Sequence, residues 1–479
     1  MLWLALHFPD LPLEVFTRGT TAPDSLIVSE GQGREQRVLR ANTAATRLGI
    51  APGMRVSAAL ALANGLRALQ RDEPAEHNAL ERLAAWSGQY SSLVHVVTPQ
   101  TLLLEVGGSL RLFRDLPSLL ARIEFGIAEL GYAAQFSVAP TPLAATWLAR
   151  AGRDADITDD ARLVSALAEL PLAVLELAPG SRARLEGMGL KRVGDCLRLP
   201  RAGLAKRFGP EFLLKLDRAL GRVPDPREAF MPAASFTSRL ELPGTVENVQ
   251  GLTFALHRLV LELCGELRAR AAGVMQLALT LLHPKAQATL IELGLVAPTR
   301  DPKHLIELFR ERLAQCELPE AVETLVLGAQ SLLPLATPNI DLFGACPESA
   351  ETAAVLIERL RARLGQQTVQ SLAVVAEHRP ERAYTHTSAK AAPLPVAHGG
   401  ERPVWLLPEP VPLELDGDQP LIGSALQLES GAERIESGWW DEGDIGRDYF
   451  VARNRAGECY WIFREIKPAG RWWLHGIFG

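Results

Sequence analysis

The first 150 residues alternate between short apolar runs and amphipathic stretches, a pattern typical of a sheet covered by helices. The apolar run "LWLALHF" (2–8) predicts a buried strand. From residue 81 to residue 152 the predicted order is helix, strand, strand, helix, strand, helix, with a strand turn at Gly107-Gly108 inside "VVTPQTLLLEVGGSLRLF" (96–113). This order predicts an α+β domain with helices on one face of its sheet, interrupted by an insertion at residues 15–75.

The rest of the chain changes pattern three times. Residues 161–227 read as short helices joined by Gly and Pro, and residues 236–338 predict a second small unit in the order β-α-β-β-α-β. Residues 379–403 are polar and rich in Pro and Gly, which predicts a linker. Six of the nine Trp fall in the last 75 residues, so a small β-rich module is expected there.

Composition sets limits on the class of protein. A length of 479 residues predicts about three or four domains, at roughly 150 residues each. Hydrophobic and charged fractions of 47% and 22% are those of a globular protein. The net charge of -6 predicts no general attraction to nucleic acid, so any DNA-binding surface must be local.

The five cysteines are far apart, without a CxxC pair or a Cys/His cluster. Neither a disulfide framework nor a zinc module is therefore expected, and a reducing cytoplasm fits best. No stretch approaches the ~20 apolar residues of a membrane span, so no membrane partner is expected.

A local basic region is the clearest electrostatic feature. Residues 181–227 contain twelve Lys or Arg against five Asp or Glu. Inside it, "LEGMGLKRVGDCLRLP" (185–200) reads as helix, tight Gly turn, helix, the pattern of a helix-hairpin-helix whose turn presents backbone N–H groups to a phosphate. The alternative is an Arg-rich solvated face. The candidate DNA-binding residues are Gly187, Gly189, Lys191, Arg192, Lys206 and Arg207.

This order of elements resembles the Y-family translesion DNA polymerases, with their palm, fingers, thumb and little finger. The resemblance covers about residues 1–338, and its most specific stretch is "RVLRANTAATRLGIAPGM" (37–54). Active members of the family grip the incoming triphosphate there with an Asn followed by Tyr-x-x-Arg. Asn42 is retained, but Thr43 and Thr46 stand at the Tyr and Arg positions, so the resemblance implies a degenerate nucleotide site.

The resemblance also implies that the catalytic carboxylates have been replaced. Active members carry an Asp at the position that aligns with His7, and an Asp-Glu pair at the positions of Gln100 and Thr101. Phosphoryl transfer by this fold needs two divalent ions held by carboxylates, which neither an amide nor a hydroxyl can replace. We therefore expect no catalytic residues, no bound metal, no cofactor and no polymerase activity.

The nearest remaining acids are Asp10, Glu14 and Glu105. Glu105 belongs to the strand interior and is expected to be a hydrogen-bonded structural residue. His7 could bind a soft metal, although a lone His on an apolar strand is more often part of the core. The alternative, an active polymerase with relocated metal ligands, requires at least two carboxylates near His7 and Gln100.

Within the Y family, the whole chain resembles the ImuB group, catalytically degenerate DinB/UmuC-like homologues of bacterial mutagenesis cassettes. The resemblance rests on "LHFPDLPLE", "LLLEVGGSLRLF", "APTPLAATWLA", "VAEHRPERAY" and the ending from "ESGWWDEGDIGRDYF" onwards. It implies a non-catalytic adaptor that joins an error-prone DnaE-type polymerase and the RecA-like ImuA to the β sliding clamp at damaged DNA in the SOS response. A third hypothesis is a DNA-structure-binding protein independent of any polymerase.

A short segment beyond the second α/β unit resembles the clamp-binding pentapeptide Gln-Leu-x-Leu-Phe. Its residues are Asn339, Ile340, Asp341, Leu342 and Phe343. Adjacent large apolar side chains on an extended segment can fill one apolar pocket, while the amide of the first residue sets the register. The alternative is a chain end whose Phe packs on its own domain.

The C-terminal aromatic residues allow two interpretations. The strip "RPVWLLPEPVPLEL" (402–415) can display Trp405 and Leu406 to a partner groove. Individual Trp residues further on are expected to form the core of their own module. As a whole, this module is the best candidate for docking the polymerase or ImuA.

The fold class expected from these observations is α+β multidomain, with Y-family architecture and a C-terminal extension. The expected domains are 1–14 with 76–160 (palm-like), 15–75 (fingers-like), 161–232 (thumb-like), 233–338 (little-finger-like), 339–378 (clamp motif and helix), 379–403 (linker) and 404–479 (C-terminal partner-binding module).

Overall fold

The structure is a computed structural model that describes residues 1–19, 24–177, 180–335, 348–365, 368–387, 401–441, 443–466 and 470–479. The chain divides into two compact units, Met1–Arg363 and Leu364–Gly479, each of which is considered by itself. The pentapeptide at 339–343 lies outside the described residues. Among the described helices, none combines the length and the apolar character that crossing a membrane requires.

A five-stranded sheet at the start of the first unit is built around its first strand. The order is β5-β6-β1-β7-β8, so β1 has a neighbour on each side. Residues 3–6 of β1 are buried, which explains the uninterrupted apolar run. The elements of residues 1–160 are β1 (Trp3–His7), α1 (Leu11–Thr17), β2 (Leu26–Glu30), β3 (Arg37–Ala41), α2 (Thr43–Arg47), α3 (Val56–Leu62), β4 (Arg67–Gln70), α4 (Glu73–Ser87), β5 (Val94–Val97), β6 (Thr101–Glu105), α5 (Leu116–Glu129), β7 (Gln135–Ala139), α6 (Pro142–Arg150) and β8 (Ala155–Asp156).

The chain turns at Gly107-Gly108 as predicted, but the strand expected to resume after this turn is not formed. β5 and β6 form an antiparallel pair whose connection lies at residues 98–100, and residues 106–115 form turns. The physical reason is the Glu105 carboxylate, which accepts hydrogen bonds from the N–H groups of Gly107 (3.2 Å) and Gly108 (3.4 Å). These bonds bend the chain back on itself at the end of β6.

Residues 24–70 form a separate small sheet in the order β3-β2-β4, with α2 and α3 against it. Its core contains Ile27, Val38, Ile50 and Val56. A helical region follows the first sheet, and its helices are α7 (Asp160–Ala168), α8 (Ser181–Gly187), α9 (Val193–Leu197), α10 (Arg201–Phe208) and α11 (Pro210–Ala219). These helices share one apolar core with α6 and with Trp3 and Ala5 of β1, so the helical region is fixed to one face of the first sheet.

The second sheet of this unit has the predicted order β-α-β-β-α-β. Its elements are β9 (Phe236–Val246), α12 (Val249–Ala269), β10 (Ala272–Leu282), β11 (Thr289–Thr299), α13 (Pro302–Ala314), β12 (Val322–Ala329) and β13 (Leu332–Pro334). The strands are ordered β11-β10-β12-β9, with β13 also paired to β10. Helix α14 (Glu348–Leu364) is held by Glu358, which accepts from Val296 N (2.5 Å) and pairs with His304 Nε2 (2.5 Å).

The second unit is β-rich, as predicted. Its strands are β14 (Ser371–Val374), β15 (Tyr384–Thr387), β16 (Trp405–Pro412), β17 (Glu414–Asp416), β18 (Gln419–Ile422), β19 (Ser424–Ala425), β20 (Gln427–Leu428), β21 (Glu433–Ser437), β22 (Ile445–Arg453), β23 (Cys459–Glu465) and β24 (Trp472–Ile477). The main sheet runs β16-β24-β23-β22-β20, with β21 on β22. The β14–β15 hairpin enters the predicted linker, because Arg379 forms buried ion pairs with Glu377 and Asp441.

Both faces of the main C-terminal sheet are packed. Alternate residues of β23 point to opposite faces, so Tyr460 and Ile462 join one apolar cluster and Trp461 and Phe463 join another. Trp461 stacks on Tyr449 with a ring-centroid distance of 4.1 Å. The α+β class and the C-terminal β-rich module are therefore confirmed.

In the first unit, helix α12 packs directly on the first sheet's helices through buried charges. Arg18, after α1, pairs with Glu262 at 2.8 Å, and both side chains are almost fully buried. Arg18 also donates to the Tyr132 hydroxyl. Arg82 of α4 pairs with Glu266 of α12 at 3.3 Å. These bonds fix the second sheet's long helix against the first domain.

Glycine allows the same two helices to approach closely. A Cβ atom on Gly265 would lie only 2.0 Å from the Trp86 ring, and a Cβ on Gly88 would lie 2.9 Å from Ala269. Any larger side chain at Gly265 would push α12 away from α4 and separate the ion pairs. Close packing and buried charge therefore depend on each other here.

We expect Arg18→Met to lower the free energy of unfolding by about 3–5 kcal/mol, because it leaves the Glu262 carboxylate buried without its cation. Arg239→Met is the matched control, since the Arg239–Glu241 pair is more than half exposed and should contribute less than about 1 kcal/mol. Urea unfolding followed by circular dichroism measures both. Equal effects of the two substitutions would contradict the assignment of Arg18 as a structural anchor.

Candidate functional site

The three positions predicted to have lost catalytic carboxylates lie together at one end of the first sheet. β1 and β6 are antiparallel, and their register places His7 opposite Thr101. His7 Nδ1 lies 3.0 Å from Thr101 Oγ1, within hydrogen-bonding distance. Just beyond this pair, the N–H of Phe8 donates to the Gln100 carbonyl (2.8 Å), which holds the end of β1 beside the residue that precedes β6. Strand pairing therefore brings together residues that are 93 positions or more apart in the sequence.

The electrostatics of this site oppose cation binding. The pKa of His7 is lowered to about 4, chiefly because burial disfavours the charged imidazolium, and Arg150 and Arg40 lower it further. The hydrogen bond with the Gln100 backbone acts in the opposite direction. Near neutral pH the site therefore holds a neutral imidazole with guanidinium groups around it, where a two-metal site needs negative charge.

Two of the remaining acids near this end of the sheet have structural partners. Asp10 pairs with Arg40 at 3.3 Å, and Arg40 also donates to the Pro9 carbonyl. Glu14 is buried and accepts from the N–H of Ala133 (2.7 Å). Burial raises the pKa of Glu14 to about 8, despite this hydrogen bond. Glu14 is therefore mostly protonated at neutral pH and is a poor ligand for a hard cation.

Glu105 lies at the opposite end of β6. The register pairs it with Trp3, four residues from the His7–Thr101 pair, or about 13 Å along the strand. Its carboxylate accepts from the N–H of Leu2 (3.1 Å) as well as from Gly107 and Gly108. Three backbone donors thus occupy Glu105, which holds the N-terminus and the turn after β6.

The residues at the strand end do not fit the metal ions that the fold family implies. Within the described part of the chain, no group of three or more His, Cys, Asp or Glu is arranged to hold a metal ion. His7 and Thr101 use each other as hydrogen-bond partners, and the Gln100 carbonyl is taken by Phe8 N. No reaction step can therefore be routed through a metal at this position.

Asn42, in the predicted nucleotide segment, has a local structural role. It is the N-cap of α2: its Oδ1 accepts from the N–H groups of Ala45 (2.9 Å) and Leu26 (3.2 Å), and its Nδ2 donates to the Asp24 carbonyl (2.6 Å). Asn is a favoured N-cap because its side-chain oxygen satisfies the free N–H groups of the first turn. The amide is therefore already occupied by the backbone of its own domain.

Thr43 and Thr46, which follow Asn42 on α2, are exposed. The hydroxyl of Thr46 donates to the Asn42 carbonyl (3.0 Å), as threonines often do within a helix. Neither side chain supplies the aromatic ring or the cation that the corresponding positions provide in active family members. The retained Asn and the two Thr thus support the start of the helix.

The predicted helix-hairpin-helix is present as α8 and α9, with Gly189 at a φ of 85° in the turn. Its backbone N–H groups, however, already have partners. Those of residues 188, 189 and 190 donate to carbonyls of α8, and that of Val193 donates to Leu170. The N–H groups of Lys191 and Arg192 both donate to the Asp195 carboxylate, at 2.9 and 3.0 Å. The expectation that this turn offers free N–H groups to a phosphate is therefore wrong.

The side chains of the hairpin region are nevertheless well placed for contact with an anion. Lys191, Arg192, Lys206 and Arg207 are all exposed, and no ion pair among the described residues uses them. Arg207 Nη1 lies 3.5 Å from the sulfur of Met188, which brings α10 beside the hairpin. By contrast, six other basic residues of this region pair with nearby acids: Arg182, Arg198, Arg201, Arg218, Arg222 and Arg227.

A cavity of about 240 Å³ between the first sheet and the helical region was not expected from sequence. Its charged lining includes Arg150, Lys215, Arg218 and Arg227, together with Glu176 and Asp225. Arg150 pairs with Glu176 there and also acts on His7. Arg150 and Glu176 lie outside the basic region at 181–227, so only folding reveals that they meet Lys215, Arg218 and Arg227 of that region beside the strand end.

Comparison with known proteins places these features in context. Residues 21–150 match the IMS model, the impB/mucB/samB family. Protein ImuB from Caulobacter vibrioides, in each of two strains, is 30% identical to this chain over 459 residues, covering 90% of this chain and all of that protein.

The chain is also similar to solved Y-family structures at low identity. A Y-family DNA polymerase chimera of Dbh and Dpo4 has 18% identity and a TM-score of 0.40, covering 69% of this chain and 99% of that one. An insertion ternary complex of Dbh DNA polymerase has 16% identity and a TM-score of 0.41, covering 70% and 99%. DinB from Sulfolobus solfataricus has 17% identity and a TM-score of 0.39, covering 70% and 100%.

Proposed function

This chain belongs to the ImuB family of Y-family polymerase homologues, and from that membership we propose that it is a non-catalytic adaptor in SOS-induced mutagenic translesion DNA synthesis. In this role it binds DNA and the β sliding clamp, and it recruits an error-prone DnaE-type polymerase and ImuA. The observation that carries the non-catalytic part is the hydrogen-bonded pair of His7 and Thr101 at the end of the first sheet.

The physical argument against polymerase chemistry concerns charge. Two divalent ions about 4 Å apart are stable in a protein only where carboxylates offset their mutual repulsion. Here a neutral imidazole and a buried hydroxyl face each other, and Arg40 and Arg150 add positive charge around them. Glu14 is mostly protonated and Glu105 is at the far end of the strand. This arrangement supports loss of the metal site rather than its relocation.

DNA binding is supported by the exposed basic side chains around the α8–α9 hairpin. Because the turn's N–H groups are occupied, the proposed contacts are made by Lys191, Arg192, Lys206 and Arg207. Gly187 and Gly189 shape the turn without offering free donors. Side-chain contacts of this kind bind phosphates without reading the base sequence, as an adaptor at varied DNA lesions requires.

Clamp binding is supported by the sequence of residues 339–343 and by their position. The pentapeptide lies between β13, which ends at Pro334, and α14, which begins at Glu348. Leu342 and Phe343 supply two adjacent apolar anchors, and Asn339 supplies an amide at the first position. A short peptide that fills one apolar pocket is a common mode of recognition by larger proteins.

We expect the purified protein to show no primer extension above background with either Mg²⁺ or Mn²⁺, since among the described residues no group of three or more His, Cys, Asp or Glu is arranged to hold an ion. A primer–template extension assay on a denaturing gel measures this, with an active Y-family polymerase as the positive control. Extension that disappears in Glu105→Ala would support the alternative of an active polymerase with relocated ligands.

We expect Lys206→Ala with Arg207→Ala to weaken binding to a primer–template duplex and to reduce the salt dependence. Each lost phosphate contact lowers the slope of log affinity against log salt by about 0.9, so a change of about 1.8 is expected. Fluorescence anisotropy across a salt series measures both quantities. The matched control is Arg359→Ala with Arg363→Ala, which removes two exposed positive charges from α14. An equal effect of the control would show that overall charge, and not the hairpin, determines binding.

We expect Leu342→Ala with Phe343→Ala to weaken clamp binding by at least about 30-fold, because apolar anchors of such peptides typically contribute 2 kcal/mol or more. Surface plasmon resonance with an immobilised β clamp measures the change, and circular dichroism checks the fold. Leu356→Ala with Leu360→Ala is the matched control, since both leucines are exposed on α14. Unchanged binding by the first variant would remove the clamp assignment.

A further inference from the structure

A turn between β21 and β22 exposes two adjacent tryptophans. Trp439 is 79% exposed and Trp440 is 58% exposed, whereas Trp461 and Trp472 of the same unit are buried. The two exposed rings contact each other edge to face, with centroids 5.5 Å apart. We define this feature, Gly438–Asp441 with Gly443, as the Trp turn. The aromatic pair lies in the solvent and contributes little to the module's own core.

Buried charge holds the Trp turn in place. The Arg379 side chain is 3% exposed, and its guanidinium makes two parallel bonds to Asp441, at 2.9 and 2.7 Å. The same group donates to Glu377 Oε2 (2.7 Å) and to the Gly443 carbonyl (3.3 Å). Paired bonds between a guanidinium and a carboxylate fix orientation as well as distance. The chain that follows the tryptophans is thus tied to one buried cation, and Ser437, which precedes them, donates to Glu377 (3.2 Å).

The backbone of the turn requires glycine at position 438. Gly438 has a φ of 91°, and a Cβ atom there would lie 2.2 Å from the Gly443 carbonyl oxygen. The Arg379 guanidinium also lies 5.7 Å from the centre of the Trp440 ring, within the range of a cation–π interaction. Only glycine permits this closure, so the direction in which the two rings project is set by the fold.

Such an arrangement has the properties of a binding anchor. Tryptophan is the residue most enriched among the side chains that dominate protein interfaces, and a ring of this size buries roughly 150–250 Å². An anchor held in its bound conformation loses little conformational entropy on association. Here Arg379 and the glycines hold the segment before any partner arrives.

The charges beside the rings indicate the chemistry of the partner. Glu436 and Asp444 flank the turn and are exposed, whereas Asp441 is paired with both Arg379 and Arg382. Exposed aromatic rings can stack on single-stranded bases, but carboxylates at this position repel a phosphate backbone. A second copy of this chain would bring the same carboxylates face to face. A protein surface with basic side chains matches both the rings and the charges.

We propose that the Trp turn is the anchor through which this protein docks onto a partner protein, in an apolar pocket rimmed by lysine or arginine side chains. This inference rests on the proposed adaptor function and identifies the surface that performs the recruitment. The contribution of Glu436 and Asp444 is electrostatic, so the association weakens as salt rises, while the tryptophans supply most of the affinity.

The test uses the full chain immobilised for biolayer interferometry, with the purified DnaE-type polymerase, ImuA, the β clamp and a single-stranded oligonucleotide as separate probes. Trp439→Ala with Trp440→Ala is expected to weaken binding of the polymerase or of ImuA by about 30-fold or more. Clamp and oligonucleotide binding should stay within about twofold, which is a measurable difference of only ~0.4 kcal/mol. Leu428→Ala is the control, because this apolar side chain is 43% exposed in the same unit and lies outside the Trp turn.

Arg379→Gln is a second variant. It keeps both tryptophan rings but removes the guanidinium that bonds to Asp441 and Glu377, so we expect a smaller loss of affinity for the same partner than in the double Trp variant. If the wild type and the double Trp variant bind the polymerase and ImuA equally well, the docking inference is overturned, and the proposed function is not. Loss of oligonucleotide binding, or an equal loss of partner binding in Leu428→Ala, overturns it as well. Wild-type protein that binds neither the polymerase nor ImuA overturns the proposed recruitment itself, so the two failures are distinguishable.

Discussion

The pairing of β1 with β6 on one side and β7 on the other is the constraint on which the first unit depends. β1 is central and buried on both faces, with Trp3 and Ala5 in one apolar cluster and Leu4 and Leu6 in another, so its register determines which side chains enter each cluster. The same register places His7 opposite Thr101 at one end and Trp3 opposite Glu105 at the other. The register therefore determines both the packing of the core and the side chains that meet at each end of the strand.

This strand end is satisfied by its own side chains. The His7–Thr101 hydrogen bond joins the two polar groups across the β1–β6 pairing and leaves the pairing of the main chain intact. The nearby cations are stabilised by their own acids, Arg40 by Asp10 and Arg150 by Glu176. The result is a self-contained polar end to the sheet that needs no ligand to be satisfied.

Buried charge recurs as the means of fixing one element against another. Arg18 and Glu262 join the first sheet's helices to α12, His304 and Glu358 hold α14, and Arg379 holds the Trp turn. Each pair excludes water and restricts its element to one position, because a buried ion without its partner is costly. An adaptor benefits from such rigidity, since binding surfaces that are already ordered lose less entropy on association.

The sequence alone was sufficient for the α+β class, the order of the second sheet's elements and the β-rich end, because hydrophobic period and turn residues act locally. It also identified His7, Gln100 and Thr101 as neighbours through a family resemblance. It predicted a strand after Gly107-Gly108 that is not formed, and free N–H groups in the α8–α9 hairpin that are occupied. The groups that accept these N–H bonds, the Glu105 and Asp195 carboxylates and the carbonyls of α8, are not marked by any pattern in the sequence.

Tertiary structure decided the remaining features, which depend on residues far apart in the chain. The sequence determined that six tryptophans lie near the C-terminal end, but only the packing of the sheet decided that Trp461 is core while Trp439 and Trp440 face solvent. Likewise, Arg150 entered the surroundings of His7 only when α6 folded back beside β1. Burial and electrostatic environment are properties of the assembled fold, because they depend on which elements exclude water from one another.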